Sequence, residues 1–232
     1  MSKNTRKTNS NLVLIVFGGT ILVSIIAGFI IFNQSNDAED LANDKLESPS
    51  ITNQPTLGDS SAPVQLVEFG DFKCPSCKYW DEVIFPVLEE EFISEGKIQY
   101  SYINTPFHGE ESTLAALASE AIWNKTPDQY WAFHHELFAQ QPPASNHDDE
   151  WITMDKVIEV ANNVELELDL DGLREDIESA TFQDELNSDL RQVEVFNVSA
   201  TPTIMINNNV LEDPFDLDII REIIATELEN AE

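Results

Sequence analysis

The chain has 232 residues, of which 42% are hydrophobic, and a formal net charge of −31 at pH 7. A chain of this length and composition holds one packed domain with appendages and is not disordered. Its acidity excludes nucleic acid as a partner, because the surface would repel phosphate groups.

The N-terminal region predicts a membrane anchor. Residues 12–32 carry no charge and, at 1.5 Å per helical residue, reach roughly the 30 Å of a bilayer core. Basic Lys3, Arg6 and Lys7 precede this stretch and the rest of the chain is acidic, which predicts that residues 1–11 are cytoplasmic and the bulk is extracytoplasmic. The alternative is a cleaved signal peptide, whose apolar region would be shorter. We therefore expect a single-pass protein of the cell membrane.

A polar, acidic stretch at residues 33–56 follows the predicted anchor. It contains too few apolar residues to fold alone, which predicts a linker. Residues 57–232 then predict an α/β domain. Its first long strand is predicted at residues 64–69, which are apolar on both faces apart from Gln65 and Glu68.

The rest of the domain shows helix and strand patterns in turn. A helix begins near residue 74, and residues 97–103 alternate like a second strand. Helical patterns fill residues 110–196, which indicates a helical insertion between two sets of strands. Residues 204–211 predict a β-hairpin with a polar turn.

Two of the predicted helices carry a specific local expectation. In the helix that begins near residue 74, Pro86 should introduce a kink. In the closing helix, at residues 216–229, Ile219, Ile223 and Leu228 lie near one face and predict the side that packs on the core.

Both cysteines of the chain, Cys74 and Cys77, lie where the first strand gives way to the helix. Two thiols with this spacing can close a small disulfide ring. The first thiol lies at the positive end of the helix dipole, among unpaired backbone N–H groups, and this favours its thiolate. A stabilised thiolate makes the disulfide reducible, so the motif predicts a redox-active pair.

Two other interpretations of the cysteine pair stay open. The pair could be half of a zinc site, although none of the histidines, at positions 108, 134, 135 and 147, has typical ligand spacing. It could also be a structural disulfide. So small a loop would remove little chain entropy, which favours chemistry over stabilisation.

A strand, a C-x-x-C motif, a helix, a second strand and a late hairpin preceded by residues 199–203 (SATPT) resemble the thioredoxin fold with the helical insert of the DsbA family. The resemblance covers about residues 57–232 and is strongest to the membrane-anchored branch in bacilli. It implies a monomeric thiol-disulfide oxidoreductase that donates its disulfide to exported proteins and needs no cofactor for catalysis. It also implies re-oxidation by a quinone-linked integral membrane oxidase of the DsbB and BdbC type.

The position of each cysteine along the helix predicts its role. Cys74, nearer the helix tip, should be the exposed sulfur that a substrate thiolate attacks, and Cys77 should be the buried resolving partner. Pro75 and Ser76 support the site. Ser76 replaces the histidine that DsbA carries between its cysteines, so the first thiolate lacks a neighbouring imidazolium charge.

The resemblance assigns further roles to three residues. Thr201 and Pro202 would form a cis peptide bond that faces the dithiol and pairs with a bound peptide; an ordinary trans bond is the alternative. Glu68 would be a buried acid whose raised pKa lets it exchange protons with Cys77. If its strand were an edge strand, Glu68 would instead face solvent.

The bacillus branch also carries a structural calcium ion between the segment before the first strand and the insert helices. On that resemblance, Gln54, Glu120 and Asp184 would be its ligands here. Glu120 is the only acid within the apolar run at residues 114–123, and an isolated buried carboxylate favours a bound cation.

Two competing functions remain for the sequence. The first is a reductase or isomerase of the same fold, kept reduced by a membrane electron donor. Isomerases of this type usually need a dimerisation module, and no spare segment supplies one. The second is an anchored binding or chaperone domain with an incidental disulfide.

Overall fold

The computed structural model describes residues 48–142 and 150–231. The predicted anchor and most of the predicted linker therefore lie outside the described residues. Within the described ranges, no helix combines the length and the apolar character that crossing a membrane requires.

The described residues form a mixed five-stranded sheet in the order β1-β3-β2-β4-β5. The central strand β2 pairs in parallel with β3, and the other neighbouring pairs are antiparallel. Because it has a neighbour on each side, β2 is buried along its length, as predicted. The strands are β1 (Thr56–Leu57), β2 (Val64–Gly70), β3 (Ile98–Asn104), β4 (Thr203–Ile206) and β5 (Asn209–Val210).

A continuous helical rod follows β2 and starts directly after Cys74. Helix α1 (Pro75–Tyr79) runs into a π-helical segment (Trp80–Ile84), helix α2 (Phe85–Leu88) and a second π-helical segment (Glu89–Ile93). Pro86 lies in the first turn of α2, where its missing N–H breaks no hydrogen bond because the preceding turn is widened.

The helices between β3 and β4 pack on both faces of the sheet, with Trp131 of α4 against Tyr100 and Val193 of α7 against Val67 and Phe69, and a last helix closes the chain. Alanine side chains of α3 are fully buried, which lets neighbouring helices approach it closely. These helices are α3 (Glu110–Lys125), α4 (Tyr130–Ala139), α5 (Met154–Asn163), α6 (Leu170–Glu178), α7 (Gln183–Val195) and, after β5, α8 (Leu217–Asn230).

The predicted apolar face of the closing helix is only partly correct. In helix α8, Ile223 and Leu228 pack partly buried against the core, but the fully buried residues are Ile220 and Ile224, and Ile219 is 44% exposed. The folded body also begins before residue 57, since Gln54 is buried and hydrogen-bonded to helix α7.

Candidate active site

The two cysteines lie at the start of α1 and are free thiols in this structure. Cys77 is fully buried, as predicted, but Cys74 is only 3% exposed rather than open to solvent. Its sulfur is covered because the carbonyl oxygen of Thr201 lies 3.3 Å away, where it can accept a hydrogen bond only while Cys74 is protonated. Little of the Cys74 surface is therefore open to solvent in the reduced protein.

The surroundings of Cys74 favour its thiolate. A hydrogen bond from the Cys77 thiol lowers the pKa of Cys74 to about 5, although burial opposes the shift. The Thr201 side chain and the backbone N–H groups of Ser76 and Cys77 lower it further. These N–H groups belong to the first turn of α1, so the predicted effect of the helix start is present.

The surroundings of Cys77 act in the opposite direction. Burial raises the pKa of Cys77 well above its ordinary value, and the charges of Glu68 and Cys74 add to the shift. The backbone N–H of Asp71 approaches the Cys77 sulfur at 3.5 Å. At neutral pH the reduced pair is therefore a thiolate at Cys74 and a thiol at Cys77.

The Thr201–Pro202 peptide bond is cis, which confirms that prediction. Pro202 is buried immediately before β4, and the Thr201 carbonyl contacts the Cys74 sulfur. Ser76 is exposed and Pro75 partly so. The loop before β4 and the first turn of α1 thus lie on either side of the Cys74 sulfur.

Glu68 lies in the middle of β2 and is 1% exposed, which excludes the solvent-facing alternative. The Tyr100 hydroxyl donates a 2.6 Å hydrogen bond to its Oε2 atom, while its Oε1 atom has no hydrogen-bond partner. Burial raises the pKa of Glu68 well above the ordinary carboxyl range, and the hydrogen bond from Tyr100 only partly offsets this.

The comparisons with known proteins agree with this geometry. A family model described as thioredoxin matches residues 50–226. Disulfide bond formation protein D of Bacillus subtilis is 40% identical over 194 residues, covering 83% of this chain and 86% of that protein. The chain belongs to the DsbA-like thioredoxin family. It is a thiol-disulfide oxidoreductase with a redox-active cysteine pair.

Three further comparisons concern DsbA-like proteins. The crystal structure of oxidised BdbD from Bacillus subtilis covers 79% of this chain and 97% of its own, at 40% identity and a TM-score of 0.76. The probable disulfide bond formation protein D of Bacillus anthracis is 33% identical over 222 residues, 96% of this chain and 99% of that protein. DsbA of Chlamydia trachomatis, at 21% identity and a TM-score of 0.66, shares the fold.

A buried aspartate beside the dithiol of this DsbA-like protein was not predicted. One oxygen of Asp71 accepts the N–H of Lys73, and the other accepts the N–H of Phe107 and lies 2.6 Å from the His108 ring. This hydrogen bond to Asp71 raises the pKa of His108. No sequence spacing indicates the pair, because Asp71 and His108 meet only when the loops after β2 and β3 come together.

A second unpredicted group joins the dithiol helix to the insert. Lys73, next to Cys74, forms an ion pair with Glu111 of α3. The other Glu111 oxygen accepts the N–H groups of Trp151 and Ile152, each at 2.7 Å. One carboxylate therefore joins Lys73, the residue before Cys74, to the segment before α5.

The predicted cation ligands are only partly brought together. Gln54 and Glu120 lie in one buried cluster, but Asp184 is exposed, so its assignment is wrong. Asp189, one turn later on α7, hydrogen-bonds Gln54 at 2.6 Å and the side chain of Asn104 at 3.1 Å. Asn104 also donates to Glu120 at 2.7 Å. Burial and the charge of Asp189 raise the pKa of Glu120 to about 9.

The zinc interpretation of the cysteine pair finds no support in the described ranges. His108 is held by Asp71, and the other described histidines lie around Asp81. No described group of close metal-ligating side chains includes either cysteine. His147 lies outside the described residues.

Proposed function

We propose that this DsbA-like protein is an extracytoplasmic oxidase that donates its Cys74–Cys77 disulfide to exported proteins. The observation that carries the proposal is the low pKa of Cys74, about 5, beside a thiol whose pKa is raised. A thiolate this stable lowers the free energy of the reduced form. The disulfide is correspondingly a strong acceptor of electrons.

The exchange follows from the two environments. A substrate thiolate attacks the Cys74 sulfur of the disulfide and expels Cys77 as a thiolate, which takes a proton because its site disfavours charge. A second substrate thiolate then attacks the substrate's own sulfur in the mixed disulfide and expels Cys74. The substrate has lost two electrons, and the protein holds a Cys74 thiolate and a Cys77 thiol.

Glu68 supplies and removes the Cys77 proton in this proposal. It is buried, burial raises its pKa well above the ordinary carboxyl range, and its charge raises the pKa of Cys77. Its Oε1 atom has no hydrogen-bond partner, which leaves an oxygen for proton transfer through a bridging water. Thr201 and Pro202 would present the extended backbone that pairs with a substrate peptide.

The membrane assignment and the re-oxidising partner also belong to the proposal. An anchor at residues 12–32 would hold the domain beside the bilayer and raise the effective concentration of membrane partners. A quinone-linked oxidase of the DsbB and BdbC type would then accept the electrons of the dithiol. The name of the Bacillus subtilis relative, disulfide bond formation protein D, supports this direction of electron flow.

We further propose that the cluster of Gln54, Asn104, Glu120 and Asp189 holds a structural calcium ion. Carboxylate and amide oxygens are the ligands that calcium prefers. The residues fit, because two buried carboxyl groups lie together and the Gln54 Oε1 atom has no hydrogen-bond partner. The amide nitrogens of Gln54 and Asn104 now face the acids, and rotation of either amide would present its oxygen. Calcium there would neutralise the acids and join the sheet to the insert.

The oxidase proposal is tested by measuring the reduction potential of the Cys74–Cys77 pair in equilibrium with a series of glutathione redox buffers. An oxidase should have a reduction potential well above the roughly −270 mV of thioredoxin. A value near −270 mV would contradict the proposal and favour the reductase. Alkylation trapping in cells should find the protein mostly oxidised, and mostly reduced when the membrane oxidase is deleted. A Cys74→Ala variant that kept full biological activity would indicate a binding or chaperone domain instead.

A further inference from the structure

Three side chains with metal-binding atoms, none of them a cysteine, converge between the helical rod and the insert. Asp81 lies on the first π-helical segment, and His134 and His135 lie on α4. The Asp81 Oδ1 atom is 2.7 Å from Nδ1 of His135 and 3.5 Å from Nε2 of His134. All three ligand atoms lie within 4.8 Å of one another.

The spacing of these atoms suits a small transition-metal ion. Bonds of about 2.1 Å in a tetrahedral site put the ligand atoms about 3.4 Å apart. The distances from Asp81 Oδ1 to the two histidine nitrogens, 2.7 and 3.5 Å, lie on either side of that value. The histidines are neighbours on a helix, where side chains point about 100° apart. They nevertheless reach the same aspartate, because one uses Nε2 and the other Nδ1.

The Nε2 atom of the buried His134 side chain has room for a stronger partner. His134 is fully buried, and its Nε2 atom lies 3.5 Å from Asp81 Oδ1 without the geometry of a good hydrogen bond. A buried polar atom with only so weak a contact is rare in native structures and needs an explanation. A metal ion bound between Nε2 and Oδ1 supplies one.

The other ring nitrogen of His134 has the support that metal-binding histidines usually have. Its Nδ1 atom lies 3.4 Å from the Tyr130 hydroxyl, which lies 3.0 Å from the Ser119 hydroxyl. A proton on Nδ1 directed at Tyr130 leaves the lone pair on Nε2. Partners of this kind fix the orientation and the tautomer of a metal ligand.

We propose that Asp81, His134 and His135 bind one divalent transition-metal ion of the zinc class. Two imidazoles and a carboxylate are donors that zinc, cobalt and nickel accept, whereas calcium and magnesium prefer oxygen alone. Three protein ligands leave a fourth position for water. The His135 side chain is 36% exposed, which gives the ion a route from solvent.

The site has a structural consequence for the oxidoreductase. Asp81 belongs to the helical rod that begins at the dithiol, and the histidines belong to the helical insert. A bound ion would cross-link these two parts of the domain. Metal binding should therefore raise thermal stability as well as give a binding signal.

Cobalt titration of the full chain tests the proposal. Cys74→Ala and Cys77→Ala remove the thiols, which also bind metals, and excess calcium occupies oxygen-rich sites. The visible d–d absorption of bound cobalt should reach its maximum at one cobalt per chain. Adding zinc should displace the cobalt and abolish this absorption. Zinc should also raise the melting temperature.

Variants in this background decide which residues bind. Asp81→Asn and His135→Ala should each weaken cobalt binding at least about tenfold. Asp155→Asn and His108→Ala remove the same donor types elsewhere and should leave the affinity unchanged. Because His135 is partly exposed, its variant should fold even if Asp81→Asn does not. The absence of a one-to-one complex, or an affinity that His135→Ala leaves unaltered, would overturn the site and leave an aspartate–histidine ion pair.

Discussion

At the residue scale, the two thiols of one motif have pKa values shifted in opposite directions. Cys74 accepts hydrogen bonds at the helix start, while Cys77 is enclosed and lies near the buried acid Glu68. The largest lowering contribution at Cys74 is the hydrogen bond from Cys77 itself. The second cysteine therefore does more than resolve the mixed disulfide, because it also stabilises the thiolate of the first.

Replacement of Cys77 tests this hydrogen bond. Cys77→Ala removes the donor, so the pKa of Cys74 should rise from about 5 toward the ordinary thiol range. Cys77→Ser keeps a hydroxyl donor and should give a smaller rise. The pH dependence of iodoacetamide labelling measures both. In the reduced wild-type protein Cys74 should react at neutral pH and Cys77 should be spared; equal labelling would reject the assigned roles.

Replacement of Glu68 tests the proton exchange. The folded pKa of Glu68 lies above its unfolded value, so its contribution to stability is fully present below the ordinary carboxyl range and is lost as pH rises through the folded pKa. Glu68→Gln keeps an acceptor for Tyr100 and carries no charge, so this loss should disappear from denaturant unfolding measured across pH. Disulfide exchange should slow by at least about tenfold. Exchange rates unchanged across pH would contradict the relay.

The residues that the sequence could predict are those whose role follows from a local motif. Cys74 and Cys77 mark the helix start, and Pro202 marks the loop before β4. Asp71 gave no such signal, because its partner His108 is brought to it only by the sheet. The same reason explains why Asp184 was chosen over Asp189, since both lie on one helix and only its rotation decides which faces Glu120.

At the element scale, an ion pair anchors the residue immediately before the dithiol and its helical rod. The ion pair of Lys73 and Glu111 is largely buried, with side chains 7% and 16% exposed. Glu111 also accepts two backbone N–H groups of the segment before α5. The position of the Cys74 sulfur thus depends on the helical insert as well as on β2.

Breaking this pair on one side should be costly. Lys73→Met leaves the partly buried Glu111 charge without its cation, and we expect a loss of about 1–2 kcal/mol in the free energy of unfolding, less than for a fully buried pair. The double variant Lys73→Met/Glu111→Gln leaves no lone charge and should lose less than the sum of the single changes. Denaturant unfolding measures the cycle, with Lys156→Met as a control at an exposed pair. Additive losses would mean that the two side chains do not interact.

Two features of the helices could not be predicted from the sequence: the rotation of α8 about its axis, and the widened π-helical turn before Pro86. Ile219 and Ile220 are equally apolar, and a rotation of 100° decides which one is buried. Pro86 predicts an irregularity, but it does not specify that the preceding turn widens. That turn carries Asp81, and only α4, which is distant in sequence, brings the two histidines to it.

At the scale of the whole molecule, one buried polar cluster connects parts of the chain that are distant in sequence. Gln54 precedes the sheet, Asn104 ends β3, Glu120 lies on α3 and Asp189 lies on α7. In a chain with a net charge of −31, two buried acids here are a cost unless a proton or a cation offsets them. The stability of the whole domain should therefore respond to the occupant of this cluster.

Calcium at 100 times its dissociation constant should stabilise the domain by about 2.7 kcal/mol, which raises the melting temperature by about 5–10 °C over a chelator-treated sample. Glu120→Gln and Asp189→Asn each remove a proposed carboxylate ligand and should abolish most of this response. Asp184→Asn is the matched control, because it removes an exposed carboxylate from the same helix as Asp189. It should keep the full calcium response. Identical melting with calcium and with chelator would contradict the cluster as a cation site. A response lost in Asp184→Asn but kept in Asp189→Asn would place the ion elsewhere on α7.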